Sequence, residues 1–145
     1  MTAQDTVRAF LVALEEKDMT AFAEVWADDG VQDMPFSPEG FPKRVEGKEN
    51  IIAHYAAWPE ISGDAAFTDH LVFYPMADAE WVFAEYRGRV EILTTGRVYE
   101  QRYGGLFHVR DGKIVLFREY YDPAAFAYAF DLGPEGANAL GARPD

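Results

Sequence analysis

Apolar residues Val7, Phe10, Leu11 and Leu14 recur at i, i+3, i+4 and i+7, one face of a helix, and Thr2 with Asp5 forms a capping pattern ahead of them. Asp18 can cap a second short helix carrying Phe22, Val25 and Trp26, with Asp28-Asp29-Gly30 as its stop and the glycine as a left-handed exit. The spacing predicts a helical hairpin. Val31 to Met34 reads as a short strand, and Pro35, Pro38, Gly40 and Pro42 make the next segment a loop of the kind that borders a pocket. Gly47 opens a third helix through Ile51, Ile52 and Tyr55, and Trp58-Pro59 ends it because the residue before proline avoids the α region.

Beyond that point the pattern changes period. From Ala66 to Tyr121 four runs rich in Val, Phe, Tyr, Leu and Thr are separated by Pro75-Met76-Ala77-Asp78, Thr94-Thr95-Gly96 and Asp111-Gly112, which predicts four antiparallel strands. Asp-Gly between apolar runs is a preferred two-residue hairpin turn. With Arg110 paired to Lys113, the register sets His108 opposite Val115, Leu106 opposite Phe117, Gly104 opposite Glu119 and Arg102 opposite Tyr121. Val115, Phe117, Glu119 and Tyr121 then share one face, and Ile114, Leu116, Arg118 and Tyr120 the other. Gly104-Gly105 predicts a bulge or bend, or a place where something approaches the backbone closely, and a bulge would bring Tyr103 and Gln101 to the face of Glu119. Both faces carry apolar bulk, and three helices cover only one, so a homodimer is expected. Asp122-Pro123 is an N-cap and first helical proline, with Phe126 and Phe130 on the turns that follow. Residues 1–132 read as one domain and 133–145 as a loose Gly/Ala/Pro-rich tail.

Composition narrows the partners. The formal net charge of −12 sets 25 acidic residues against 13 basic ones, which repels nucleic acid and anionic membranes. The absence of cysteine excludes disulfides and thiolate chemistry and suits a reducing cytoplasm. No export signal or membrane-length apolar run is present, so a soluble cytoplasmic chain is expected. The aromatics, 11 Phe, 8 Tyr and 3 Trp, exceed what a minimal core needs, and some can line a cavity.

Glu119 is the leading candidate for chemistry. Phe117 and Tyr121 share its face, and removing a carboxyl from water raises its pKa toward the range useful for proton transfer. The alternative is a strand glutamate paired with Arg102 or lying at the solvent rim. His54, His70 and His108 fall on separate elements without metal-ligand spacing, and Asp33 and Glu85 read as solvated or ion-paired. Trp26, Tyr55 and Trp58 are candidates to line the open end of the fold, with core packing as the other reading for Trp26. No phosphate loop, dinucleotide fingerprint or nucleophile elbow is visible, so neither a metal nor a nucleotide cofactor is expected.

The element order, with Arg110-Asp111-Gly112-Lys113-Ile114 followed by Arg118-Glu119-Tyr120-Tyr121-Asp122-Pro123, resembles the SnoaL-like branch of the nuclear-transport-factor-two-like superfamily. Within it, the ending is most similar to the phenazine-biosynthesis A/B proteins, which differ from this chain around Tyr103-Gly104-Gly105-Leu106. The resemblance implies an α+β cone, a curled antiparallel sheet packed on three N-terminal helices, commonly dimeric, with a hydrophobic pocket. It also implies acid/base catalysis without a cofactor. Glu119 matches the acid/base glutamate of those proteins, and His54 is the nearest candidate for their histidine. Tyr103, Phe117 and Tyr121 join the candidate substrate contacts. The expected activity is isomerisation, cyclisation, condensation or dehydration of a small aromatic or polyketide-like substrate in secondary metabolism. The alternative is a non-catalytic binding or assembly module of the same fold.

Overall fold

A computed structural model describes residues 1–132; the tail expected from Gly133 lies outside the described residues. Helix α1 (Ala3–Glu16) begins with the reciprocal capping box, the Thr2 hydroxyl accepting from the Asp5 amide at 3.1 Å and the Asp5 carboxylate from the Thr2 amide at 3.1 Å. Its stripe of Val7, Phe10, Leu11 and Leu14 is buried. Thr2→Ala is expected to cost about 1 kcal/mol, read by urea denaturation; an unchanged midpoint would show that the first turn holds without its cap.

Helix α2 (Met19–Glu24) is capped by Asp18, whose side chain accepts from the Ala21 amide at 3.0 Å. It stops earlier than its spacing predicts. Val25 is the C-cap, and Trp26 opens strand β1 (Trp26–Asp33). Tertiary pairing overrides local spacing here: the Ile114 amide donates to the Val25 carbonyl at 2.7 Å, and Trp26 pairs with Ile114. Gly30 does not take the left-handed exit expected of it. A Cβ there would come within 2.9 Å of the Trp26 ring and 3.0 Å of the Ile114 carbonyl oxygen, so the position needs glycine for close approach.

After the proline-rich loop come a short strand the periodicity does not reveal, β2 (Arg44–Glu46), and helix α3 (Lys48–His54), with Gly47 at its N-cap and Tyr55 at its C-cap. Trp58-Pro59 does not end α3 but opens a further helical turn, α4 (Trp58–Ile61), where proline in the first turn loses no helical bond. The sheet follows as β3 (Ser62–Ala66), β4 (Val72–Pro75), β5 (Trp81–Ile92), β6 (Arg97–Arg110) and β7 (Lys113–Tyr121), and α5 (Pro123–Ala129) closes the described chain. Strand β3 begins before the apolar runs do and is also absent from the sequence reading.

The fold is α+β around a curled sheet of order β2-β1-β7-β6-β5-β3, with β4 also on β5. All pairs are antiparallel except β1 with β7, which run parallel. This parallel pair was not foreseen, because nothing local specifies a partner so far along the chain. One face of the sheet is covered by α1, whose Phe10 meets Phe107 and Phe117 at ring-centroid distances of 6.1 and 5.3 Å. Phe126 and Phe130 of the α5 segment pack on Tyr99 of β6.

The last hairpin departs from the simple register. Arg110 pairs with Lys113 and Val109 with Ile114, but His108 then pairs with Leu116, Phe107 with Phe117, Gly105 with Glu119 and Tyr103 with Tyr121. Val115 is the extra residue of a bulge, and every pair beyond it is shifted by one from the expected register. Ile114 therefore lies buried on the Phe117 side rather than with Leu116. Gly104-Gly105 holds no bulge, since β5 and β6 pair without interruption from Trp81–His108 to Ile92–Arg97. The bulge lies across the hairpin, because Trp26 and Phe117 both require burial and only an extra residue brings Ile114 and Phe117 to one face.

Candidate active site

The Val115 bulge decides what Glu119 faces. Its cross-strand partner is Gly105, where a Cβ would lie 2.7 Å from the Phe107 ring and 2.9 Å from the Phe117 ring. Glycine thus lets those rings stack at 4.3 Å and 7° beneath the carboxyl. Tyr103 and Gln101 reach the inner face as expected, through the shift in β7 rather than a bulge in β6. Among the described residues no arginine, Arg102 included, pairs with Glu119. Its hydrogen-bond partner is Gln32 of β1, whose Nε2 donates to Oε1 at 3.4 Å, while the Tyr55 hydroxyl donates to Gln32 Oε1 at 2.9 Å. Gln32 is 1% exposed.

Glu119 opens onto a cavity of about 280 Å³ between the inner sheet face, α3, α4, α5 and the proline-rich loop. Of the residues expected there, His54, Tyr55, Trp58, Tyr103 and Tyr121 line it with Glu119. Trp58 is fixed by its indole N–H, which donates to the Leu14 carbonyl at 2.9 Å. The loop is pinned over the cavity by a 3.0 Å hydrogen bond between Ser37 and the Tyr121 hydroxyl, by Lys43 Nζ donating to the Ser37 carbonyl at 2.7 Å, and by Phe41 edge-on to Phe126 at 5.2 Å. A smaller chamber of about 70 Å³ lies deeper, against Phe10, Phe67 and Tyr86, and shares Tyr55, Trp58, Tyr99, Tyr103 and Glu119 with the larger one.

Two expected contacts lie elsewhere. Trp26 is 1% exposed and edge-on to Phe10 at 5.8 Å, and Phe117 is 0% exposed; both belong to the core beneath the cavity, not to its wall. His108 stacks on Trp81 at 4.4 Å and bonds Glu80 at 2.9 Å on the other sheet face. Asp33 pairs with Arg118 at 3.1 Å, and Glu85 accepts from the Tyr74 hydroxyl at 3.1 Å. His70 borders a cleft beside Arg87 and Arg102. Among the described residues no three His, Asp or Glu gather as metal ligands, and no helix is long and apolar enough to cross a membrane.

The sequence reading missed Gln32, Ser37 and Tyr99. Hydrophobicity favours Val31 as the inward residue of β1, yet Gly30, Gln32 and Met34 are buried and Val31 and Asp33 only partly so. The alternation was visible; its phase was not.

Burial sets the electrostatics. It pushes the Glu119 carboxyl up to about 7, against the lowering effect of the Gln32 N–H. The Tyr55, Tyr86 and Tyr103 hydroxyls are held well above their ordinary range by burial, with the charge of Glu119 adding to it, so they remain neutral donors. Burial lowers the pKa of His54, which favours a neutral imidazole at neutral pH. The site therefore combines a carboxyl that can hold or release a proton with neutral hydrogen-bond donors in an apolar enclosure.

The model of the SnoaL-like domain matches residues 7–117. The protein YesE of Bacillus subtilis is 37% identical over 128 residues, 88% of this chain and 86% of that protein. A PhzA/B-like protein of Pseudomonas aeruginosa is 32% identical over 123 residues, 85% and 86% of the two chains. A solved Bacillus subtilis structure, provisionally named an isomerase, has a TM-score of 0.84 at 35% identity, covering 90% of this chain and 94% of that one. A Pseudomonas putida structure, provisionally named a polyketide cyclase, shares the fold with a TM-score of 0.74 at 24% identity, covering 89% and 98%. The expected resemblance is thus met by a match across most of the chain, and the protein belongs to the SnoaL-like domain family.

Proposed function

We propose that the protein is an enzyme that moves a proton on a small, mostly apolar substrate, aromatic or polyketide-like, with Glu119 as the acid/base residue and no cofactor. The observation that carries this reading is the Glu119 carboxyl with its pKa raised to about 7, opening onto an aromatic cavity of about 280 Å³. As a carboxylate, Glu119 removes a proton from carbon beside a carbonyl. The resulting enolate charge is met by a neutral tyrosine hydroxyl or by the imidazole of His54, and protonated Glu119 returns the proton at the position where the new bond pattern requires it. Trp58, Tyr103 and Tyr121 orient the rings of the substrate. Isomerisation, cyclisation, condensation and dehydration share this step. The chain's lack of cysteine fits work in the cytoplasm.

The test is native mass spectrometry of the purified protein mixed with aromatic and polyketide-like carbonyl compounds, with product analysis of each mixture. Conversion of a bound compound, lost in Glu119→Gln, is expected. Compounds that bind both forms and emerge unchanged would replace the enzyme with a non-catalytic binding module.

The same proposal includes a homodimer. The sheet face away from α1 carries Trp81, Phe83, Leu106, Leu116 and Tyr120 on adjoining strands, each only partly buried, and Tyr74 is 49% exposed beside them. Such a face fits a second copy of itself. Leu106→Lys is expected to change the light-scattering mass from twice 16.3 kDa to 16.3 kDa; a monomeric wild type would remove the dimer from the proposal.

A further inference from the structure

We propose that Gln32 is a positioning residue for Glu119: its amide, held at one end by the Tyr55 hydroxyl, presents an N–H to Oε1 and leaves Oε2 to exchange the proton. The inference rests on the acid/base reading of Glu119.

The geometry is a two-link chain. Gln32 stands on β1 in parallel register with Phe117, two positions before Glu119, so strand pairing itself brings the amide beside the carboxyl. A buried primary amide carries two donor hydrogens and an acceptor oxygen, and which end faces which neighbour decides what it does. The Tyr55 hydroxyl donates to Oε1 at 2.9 Å, which occupies the acceptor end and turns Nε2 toward Glu119 at 3.4 Å. An N–H can only donate. It stabilises negative charge on Oε1 and opposes a proton there, so the proton of the neutral acid sits on Oε2.

Among the described residues no other group offers Glu119 the same contact. Tyr86 of β5, Tyr99 and Tyr103 of β6, Tyr121 of β7, and Tyr55 and His54 at the end of α3 are, among the described residues, the titratable groups around it. Burial raises the tyrosine pKa values and lowers that of histidine, so none is a cation or anion near neutral pH. Helix α1 presents Phe10, Leu11 and Leu14, and the α5 segment presents Phe126 and Phe130, none of them charged. Among the described residues, Gln32 is the hydrogen-bond partner of the carboxyl. Its N–H therefore acts against the effect of burial on the carboxyl.

The test follows the titration of Glu119 by NMR in protein labelled with 13C at the glutamate carboxyl, the signal being assigned by its loss in Glu119→Gln. In Gln32→Leu the midpoint is expected to rise by about half to one pH unit. In Tyr55→Phe, where the amide can turn, it is expected to rise by less. If Gln32 only fills space, Tyr55→Phe, which leaves the amide in place, leaves the midpoint where it is, whereas Gln32→Leu raises it for either reason by removing polarity beside the carboxyl. A wild-type midpoint in folded Tyr55→Phe overturns the two-link arrangement whatever Gln32→Leu shows. Should Gln32→Leu not fold, Tyr55→Phe decides the matter alone, since it removes a single hydroxyl. The titration needs neither substrate nor turnover. Full turnover by Glu119→Gln would remove the acid/base reading and leave the titration result standing.

Discussion

Turnover of a converted substrate is expected to fall by about 10²- to 10⁴-fold in Glu119→Gln, the range for losing a positioned acid/base group. The amide has the shape of the carboxyl and can accept from the Gln32 N–H, so the cavity keeps its form while proton transfer is lost. Acting first as a base, Glu119 must be ionised in the free enzyme. In the wild type, kcat/KM should therefore rise as pH passes upward through about 7, and the variant should lose that limb.

The same substitution has an opposite effect on stability. The folded protein binds the Glu119 proton more tightly than the unfolded chain, whose ordinary value is 4.5. Stability from this group is intact below about 4.5 and is lost as pH rises through about 7, at about 1.4 kcal/mol per unit, so that about 3 kcal/mol is missing above neutrality. Glutamine carries no such cost. Glu119→Gln should therefore melt above the wild type at pH 8, with the gap closing toward pH 4.5, a comparison that calorimetry makes directly. Equal melting temperatures at pH 8 would mean that the carboxyl is well hydrated, and the proposed chemistry would lose its basis.

Phe117→Ala is expected to cost about 3–5 kcal/mol in urea denaturation, a large share of the 5–15 kcal/mol typical of a whole domain. Phe117 is 0% exposed, stacks on Phe107 at 4.3 Å and meets Phe10 edge-on at 5.3 Å, so truncation removes contacts to the sheet and to α1 together. A loss under about 1.5 kcal/mol would show that the surrounding rings collapse into the space.

Signals that act over a few residues were legible in the chain. The Thr2 and Asp18 caps, the Asp122-Pro123 start and the Asp111-Gly112 turn, with φ of 54° and 72°, all stand where their chemistry places them. Glu119 was found because alternation past Phe117 is insensitive to the bulge: Phe117, Glu119 and Tyr121 keep one face whatever happens at Val115. The glycine opposite falls one position away from the expected Gly104, because cross-strand register, unlike the face, is shifted by the bulge. What sequence could not supply was set at long range. Trp26 reads as helical until its pairing with Ile114 is known, and the phase of β1, which buries Gln32, is fixed by that same neighbour. His54 follows from the resemblance, and Tyr55 and Trp58 from being aromatics suited to the open end of the fold, while Ser37 lies in a loop whose path depends on Tyr121.

The parallel seam between β1 and β7 also orders events in time. Gln32 and Glu119 stand 87 residues apart, and β1 has only the short β2 as a sheet neighbour until β7 exists. A two-stranded fragment of that kind is marginal in water, so closing this seam must bear the entropy of a long loop before its contacts reward it. On the ribosome, the amide and the carboxyl cannot meet until nearly the whole described chain has emerged. Occupancy of the cavity thus requires the closed seam, and a ligand that fills it stabilises that seam by mass action.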